Sequence, residues 1–214
     1  AARYTNWGQY NNSTGGSPGP FQEFTTSVGI YLNVGSGAAN DTRFDFSTAL
    51  HTPTGAFAQD FVFNVGFYNS NDVGNPGAGT DRFIISASNN AGRANSYPMN
   101  PGRDPVAIST SGWYSFQHAF TNDGGNLLAT LSLIDATNLV VATWELGGTP
   151  ITGFGGNRYG WFANQEFSFL AIDNASLATP DAVPVPLALP LFASGMCMLG
   201  FLAWLRKRKP KSVA

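Results

Sequence analysis

The stretch Phe57–Tyr68 constrains the fold most. Phe61, Phe63, Val65 and Phe67 take alternate positions, with Asp60, Val62, Asn64 and Gly66 between them. A period of two places the first set on one face of a strand. An apolar face of that kind has to be covered by a second layer. No helical periodicity stands out before residue 183. Short runs rich in β-branched and aromatic residues alternate instead with clusters of Gly, Asn and Pro, which is the pattern of a sandwich. Strands are expected near residues 21–34, 43–47, 57–68, 81–88, 112–121, 126–135, 138–146 and 167–177. Asn122-Asp123-Gly124-Gly125 and Asp135-Ala136-Thr137-Asn138 read as hairpin connections. Long loops at 11–20, 69–80 and 89–105 lie between strands. The expected fold class is all-β, a two-sheet sandwich.

A chain of 214 residues is long enough for one such domain and an appendage. Its charge is unevenly placed. Residues 1–182 carry six arginines, no lysine and all thirteen acids, a formal charge near −7, whereas the last nine residues carry five bases and no acid. An acidic domain argues against a nucleic-acid partner, whose phosphates call for a basic face. Cys197 is the only cysteine and lies in the apolar tail, so no intramolecular disulfide and no cysteine-based metal site can form. The chain opens on Ala1-Ala2 without an apolar run, and a removed signal peptide is the expectation.

Leu187 to Leu205 is a 19-residue run without a charge. As a helix it would be roughly 28 Å long, close to the ~30 Å hydrocarbon core of a bilayer. Arg206, Lys207, Arg208 and Lys209 follow at once, and basic residues stay on the cytoplasmic side, which leaves the domain outside. A buried core helix is the competing reading, disfavoured because the run is apolar on every face. The expected organisation is a sandwich domain over 1–178, a linker over 179–186, a membrane helix over 187–205 and a basic tail over 206–214.

Two resemblances follow from these residues. Val183-Pro184-Val185-Pro186, the apolar run and Arg206–Lys209, in that order, resemble the PEP-CTERM sorting signal of Gram-negative bacteria. The resemblance implies export, a transient or permanent anchor in the inner membrane, and processing by an exosortase-type protease near Pro186. It further implies display at the cell surface or in an exopolysaccharide matrix. The family's Glu between the prolines is Val185 here, a departure that bears on recognition by the protease and not on anchoring. Within the domain, RFDFSTA (43–49), QDFVFNVGFYN (59–69), GWYSFQHAF (112–120), GGNRYGWF (155–162) and FLAIDNASL (169–177) resemble the concanavalin-A-like lectin/glucanase jelly roll. That resemblance implies two packed sheets and carbohydrate as the commonest ligand class.

Candidate sites are few. Glycosidases need two carboxylates about 5–9 Å apart. The chain has only Glu23, Glu145 and Glu166, in no alternating carboxylate run, although Glu166 and Asp173 could approach across a hairpin. No catalytic residue is assigned. Sugar rings stack on exposed aromatic rings, so Trp7, Trp113, Tyr114, Tyr159 and Trp161, with Asn157 and Arg158 as polar partners, are the candidate ligand platform. For Trp113 and Trp161 the competing reading is core, since strand aromatics usually are. The loop from Asn69 through Asp81 is rich in oxygen ligands, so Asp72 and Asp81, with Asp173 in the last strand, are candidate Ca²⁺ ligands. Solvated turn residues, and for Asp173 a loop-holding role, are the competing readings. His118, alternating with Phe116 and Phe120, is expected to be half-buried. The glycines of GFGGNRYG (153–160) read as turn glycines. The chain thus reads as a non-catalytic carbohydrate-binding or structural module. A degenerate glycoside hydrolase or lyase, and a purely structural matrix protein, remain the alternatives.

Overall fold

The computed structural model describes residues 19–89, 98–163, 165–168 and 170–179. Among the described residues ten strands follow in chain order: β1 (Phe24–Leu32), β2 (Thr42–His51), β3 (Phe57–Tyr68), β4 (Arg82–Asn89), β5 (Val106–Ile108), β6 (Gly112–Asp123), β7 (Asn126–Asp135), β8 (Val140–Pro150), β9 (Gly156–Ala163) and β10 (Ile172–Ala178). They form two five-stranded antiparallel sheets, ordered β10-β1-β6-β7-β8 and β5-β4-β3-β2-β9. This is the expected β-sandwich character. Among the described residues no helix is long and apolar enough to cross a membrane. The expected membrane helix over 187–205 and the sorting residues Val183–Pro186 and Arg206–Lys209 lie outside the described residues.

Alternation builds the core. Phe61, Phe63, Val65 and Phe67 of β3 face inward with Phe44, Phe46 and Leu50 of β2 and Phe83 and Ile85 of β4. Val28, Ile30 and Leu32 of β1, Phe116 and Phe120 of β6, and Leu131 and Leu133 of β7 oppose them. The rings meet edge to face, as the aromatic quadrupole favours: Phe63 lies 5.1 Å from Phe116 at 82° and 5.9 Å from Trp144 at 84°. Both predicted hairpins form. Gly124 and Gly125 take positive φ between β6 and β7, and Asn138 takes φ 67° between β7 and β8. Asp135 Oδ1 accepts the N–H groups of Thr137 and Leu139 and so shapes the second turn.

Two strands were not expected. β5 is three residues long, too short for any periodicity to register. β9 begins inside the segment read as turn glycines: Gly156 adopts φ +134°, and the chain then pairs with β2 from His51↔Gly156 to Asp45↔Ala163. The last strand begins at Ile172, so the described residues 167, 168, 170 and 171 are not strand.

His118 is fully buried, not half-buried, because its inward position on β6 is covered by the opposite sheet. Nε2 lies 3.0 Å from the carbonyl oxygen of Phe61 on β3, which can only accept, so Nε2 carries the proton. Nδ1 then accepts from the Thr48 hydroxyl at 3.2 Å, and Thr48 accepts from Thr26 at 3.0 Å. The four groups alternate between the sheets: Thr26 and His118 from one, Thr48 and Phe61 from the other. Burial pushes the imidazole pKa down from 6.5 to about 3, partly offset by the Phe61 carbonyl.

A base whose pKa is lower in the folded chain binds its proton first in the unfolded one. Its contribution is complete above pH 6.5 and declines as the pH falls from there toward about 3. The slope is about 1.4 kcal/mol per pH unit, so roughly 2 kcal/mol should vanish between pH 6.5 and pH 5. Denaturant titrations across that range should show the loss. His118→Leu should be less stable at pH 7 by roughly 2–3 kcal/mol, from two lost hydrogen bonds with buried partners, and should lack most of the slope. An unchanged slope in that variant would contradict a neutral buried His118.

Candidate functional site

The outward face of β1 and β6 carries an aromatic pair. Tyr31 and Trp113 are directly paired across the two strands, and their rings meet edge to face, 5.5 Å apart at 67°. Trp113 is 41% exposed and Tyr31 36%, so this tryptophan is not core. Next to Tyr31 along the same face comes Gly29. A Cβ there would stand 3.0 Å from the Asp173 carbonyl oxygen and 3.7 Å from the Trp113 ring, so the absence of a side chain keeps the floor before the indole open. A cavity of about 330 Å³ lies there, lined by Ser27, Gly29, Trp113, Ser115, Asp135 and Asp173 among others. Asn138 and Asn174, both at positive φ, stand at its rim. An exposed indole beside short hydroxyl, amide and carboxylate groups can stack an apolar ring face and bond to hydroxyls around it.

The sequence-predicted platform is only partly assembled here. Tyr114 is among the residues lining the same cavity, but its ring turns inward to the core and its hydroxyl donates to the Thr110 carbonyl at 3.0 Å. Asn157, Arg158 and Trp161 sit on β9, in the opposite sheet from Trp113. Arg158 donates to the Gly55 carbonyl at 2.9 Å. Trp7 and the side chain of Tyr159 lie outside the described residues. Tyr31, Ser27, Asp135 and Asn138 were missed. Only the register of β1 against β6 brings Tyr31 to Trp113, and no single segment of sequence carries that register.

The candidate cation ligands are not gathered. Asp173 Oδ1 accepts the Asn174 N–H, and Asp81 Oδ1 accepts the Ser70 N–H. Among the described residues no group of three or more His, Cys, Asp or Glu could hold a metal ion. The oxygen-rich loop after β3 closes around an arginine instead. Arg82, fully buried, donates Nε to the Pro76 carbonyl at 2.8 Å and Nη1 to the Thr80 carbonyl at 2.9 Å and the Asn69 carbonyl at 3.4 Å. Nη2 donates to Asp72 Oδ1 at 2.9 Å and to the Gly74 carbonyl. All five guanidinium donors are thereby used. Burial raises the Asp72 carboxyl, but the Gly74 N–H, Arg82 and Asn40 outweigh it and hold the group below its ordinary value. Gly77, at φ +74°, is required: a Cβ there would come within 2.8 Å of Arg82 Cδ.

The outward face of the other sheet is polar and buried. Asn64 donates to Asp45 at 2.9 Å and accepts from Ser88 at 2.8 Å and Arg103 at 3.3 Å. Ser47, Asp60 and Ser86 on this face are buried as well. Part of the cover is Arg103 itself, in a 3-10 turn at Pro101–Arg103, and Pro98, which closes on Gly66.

No protein-family model, no curated protein and no solved structure matches this chain.

Arg82→Met should cost about 3–5 kcal/mol, because it removes the guanidinium that donates to the Asp72 carboxylate and to four carbonyls. Chemical denaturation measures this. The same titration with EDTA or with added Ca²⁺ should superimpose on the untreated curve, since the guanidinium occupies the loop's oxygens. A shift in midpoint on chelation would contradict that.

Proposed function

We propose that the chain is an exported, non-catalytic carbohydrate-binding module, held at the cell surface or in an exopolysaccharide matrix. The observation that carries the reading is the exposed Tyr31–Trp113 pair at the edge of a hydroxyl- and carboxylate-lined cavity. The sandwich architecture agrees with the resemblance of its strands to concanavalin-like modules. Export and anchoring rest on the tail alone: Val183–Pro186, the apolar run and the five closing bases.

Catalysis is disfavoured by the carboxylates themselves. A glycosidase general acid needs a pKa raised toward neutrality. Asp135 is moved the other way, by the Thr137 hydroxyl first and the Leu139 N–H next. Its Oδ1 is already occupied by three donors. Glu166 Oε2 accepts the Arg43 N–H, and its backbone N–H donates to the Arg43 carbonyl, which ties it to β2 and not to Asp173.

Binding of the full-length chain to a glycan array that includes polysaccharide from its own matrix tests the reading. Trp113→Ala should weaken the strongest binding roughly 10- to 30-fold, about 1.4–2 kcal/mol, without loss of folded structure. No binding to any polysaccharide, or binding indifferent to Trp113, removes the reading. Processing is tested separately: mass spectrometry of exported material should find the chain ending near Pro186, and an intact RKRKPKSVA terminus would exclude cleavage.

A further inference from the structure

Resting on the reading of this groove as a carbohydrate site, we propose that it grips several consecutive units within a polysaccharide chain lacking acidic groups. Two features of the surface around the aromatic pair support this. The first is its length. A second cavity, of about 670 Å³, lies on the other side of Tyr31, lined by Asn33, Ser36, Phe167 and Ser168 and reaching Thr42 and Phe83 of the opposite sheet. Tyr31 lines this cavity and Trp113 the first, and the two rings are in contact, so the aromatic pair stands between two cavities. Ser27, Gly29 and Tyr31 are successive outward positions of β1, and Asn33 follows directly on its end. Six steps at about 3.3 Å spread these residues over at most about 20 Å. A site for a single sugar or a chain end would be closed at one side of the aromatic pair; this one has space on both.

The second feature is charge. Asp135 and Asp173 line the first cavity and Glu166 the second, and no arginine, lysine or histidine lines either among the described residues. The four described arginines are engaged elsewhere. Arg43 holds Asp41 at 2.7 Å, Arg82 lies inside its own loop, Arg103 reaches Asn64 and Arg158 the Gly55 carbonyl. Carboxylates accept hydrogen bonds from sugar hydroxyls and attract amines, but they repel uronates and sulfates. Neutral or amino-bearing chains therefore fit the track, and acidic ones do not.

Calorimetry of the full-length chain with size-fractionated oligosaccharides of two to six units reads both features. The probes are cello-, laminari- and chito-oligosaccharides, oligogalacturonides, and fragments of the native matrix polysaccharide. Affinity for the non-acidic chain that binds should rise at least about tenfold from dimer to hexamer, and oligogalacturonides should stay silent. Ser168 is exposed and lines the second cavity. Ser168→Trp should fold normally and lower hexamer affinity to that of the dimer while leaving the dimer unchanged. Trp113→Ala should weaken every length. Equal affinity at all lengths, or hexamer binding untouched in Ser168→Trp, overturns the extended track while leaving the carbohydrate reading in place. Preferred binding of oligogalacturonides overturns the charge selection. Absence of binding to every fragment overturns this proposal and the reading beneath it.

Discussion

A sandwich without a disulfide has to be held by what lies between its sheets, and at the centre of that space sits an imidazole. His118 enters from β6, donates to the Phe61 carbonyl on β3 and accepts from Thr48 on β2. Phe46 and Phe63 meet its ring edge to face, and the Phe120 ring lies parallel to it. Phenylalanines supply non-directional burial, which would tolerate sliding of one sheet over the other. The hydrogen-bonded chain from Thr26 to Phe61 O adds direction, because a shift of one residue would leave buried polar groups unpaired. The outward register depends on the same alignment, including the placement of Tyr31 against Trp113.

Arg82 plays a comparable part at one end of the sandwich. Loops of a dozen residues with many oxygens often close around a cation, and this one does so with a cation supplied by its own chain. A guanidinium presents five donors in a fixed plane and matches carbonyls set around it, which an ion of one radius would gather differently. The loop thus has its inward carbonyls and Asp72 bonded to a group of the chain itself.

The sequence shows the core and hides the site, for the same physical reason. Alternation in Phe57–Tyr68 and around His118 is local, so the inward faces of β3 and β6 are legible from residue spacing alone. Asn138 and the Gly124-Gly125 pair announce their turns because few other residues adopt positive φ without cost. β9 is hidden because its glycines resemble a turn, and only pairing with β2 makes them a strand. Trp113 could be named from the sequence as a platform residue. Tyr31 and Asp173 reach its neighbourhood through pairings of β1 with β6 and β10, strands far along the chain. Arg82 reads as one more strand residue until the loop before it is seen closed around the side chain. The burial of Asn64 and Ser86 was equally illegible, since alternation predicts an outward face and says nothing of what crosses it.

The central claim is that this chain meets carbohydrate on the outward face of β1 and β6, not on the polar face of the opposite sheet. Backbone amide chemical shifts of the isotope-labelled chain, followed as an oligosaccharide is added, test that directly. The account predicts that Gly29, Tyr31, Trp113, Ser115 and Asp135 move together while Asp45, Asn64 and Trp161 stay still. Shifts concentrated on Asp45, Asn64 and Trp161, with Gly29 and Trp113 unmoved, would contradict it.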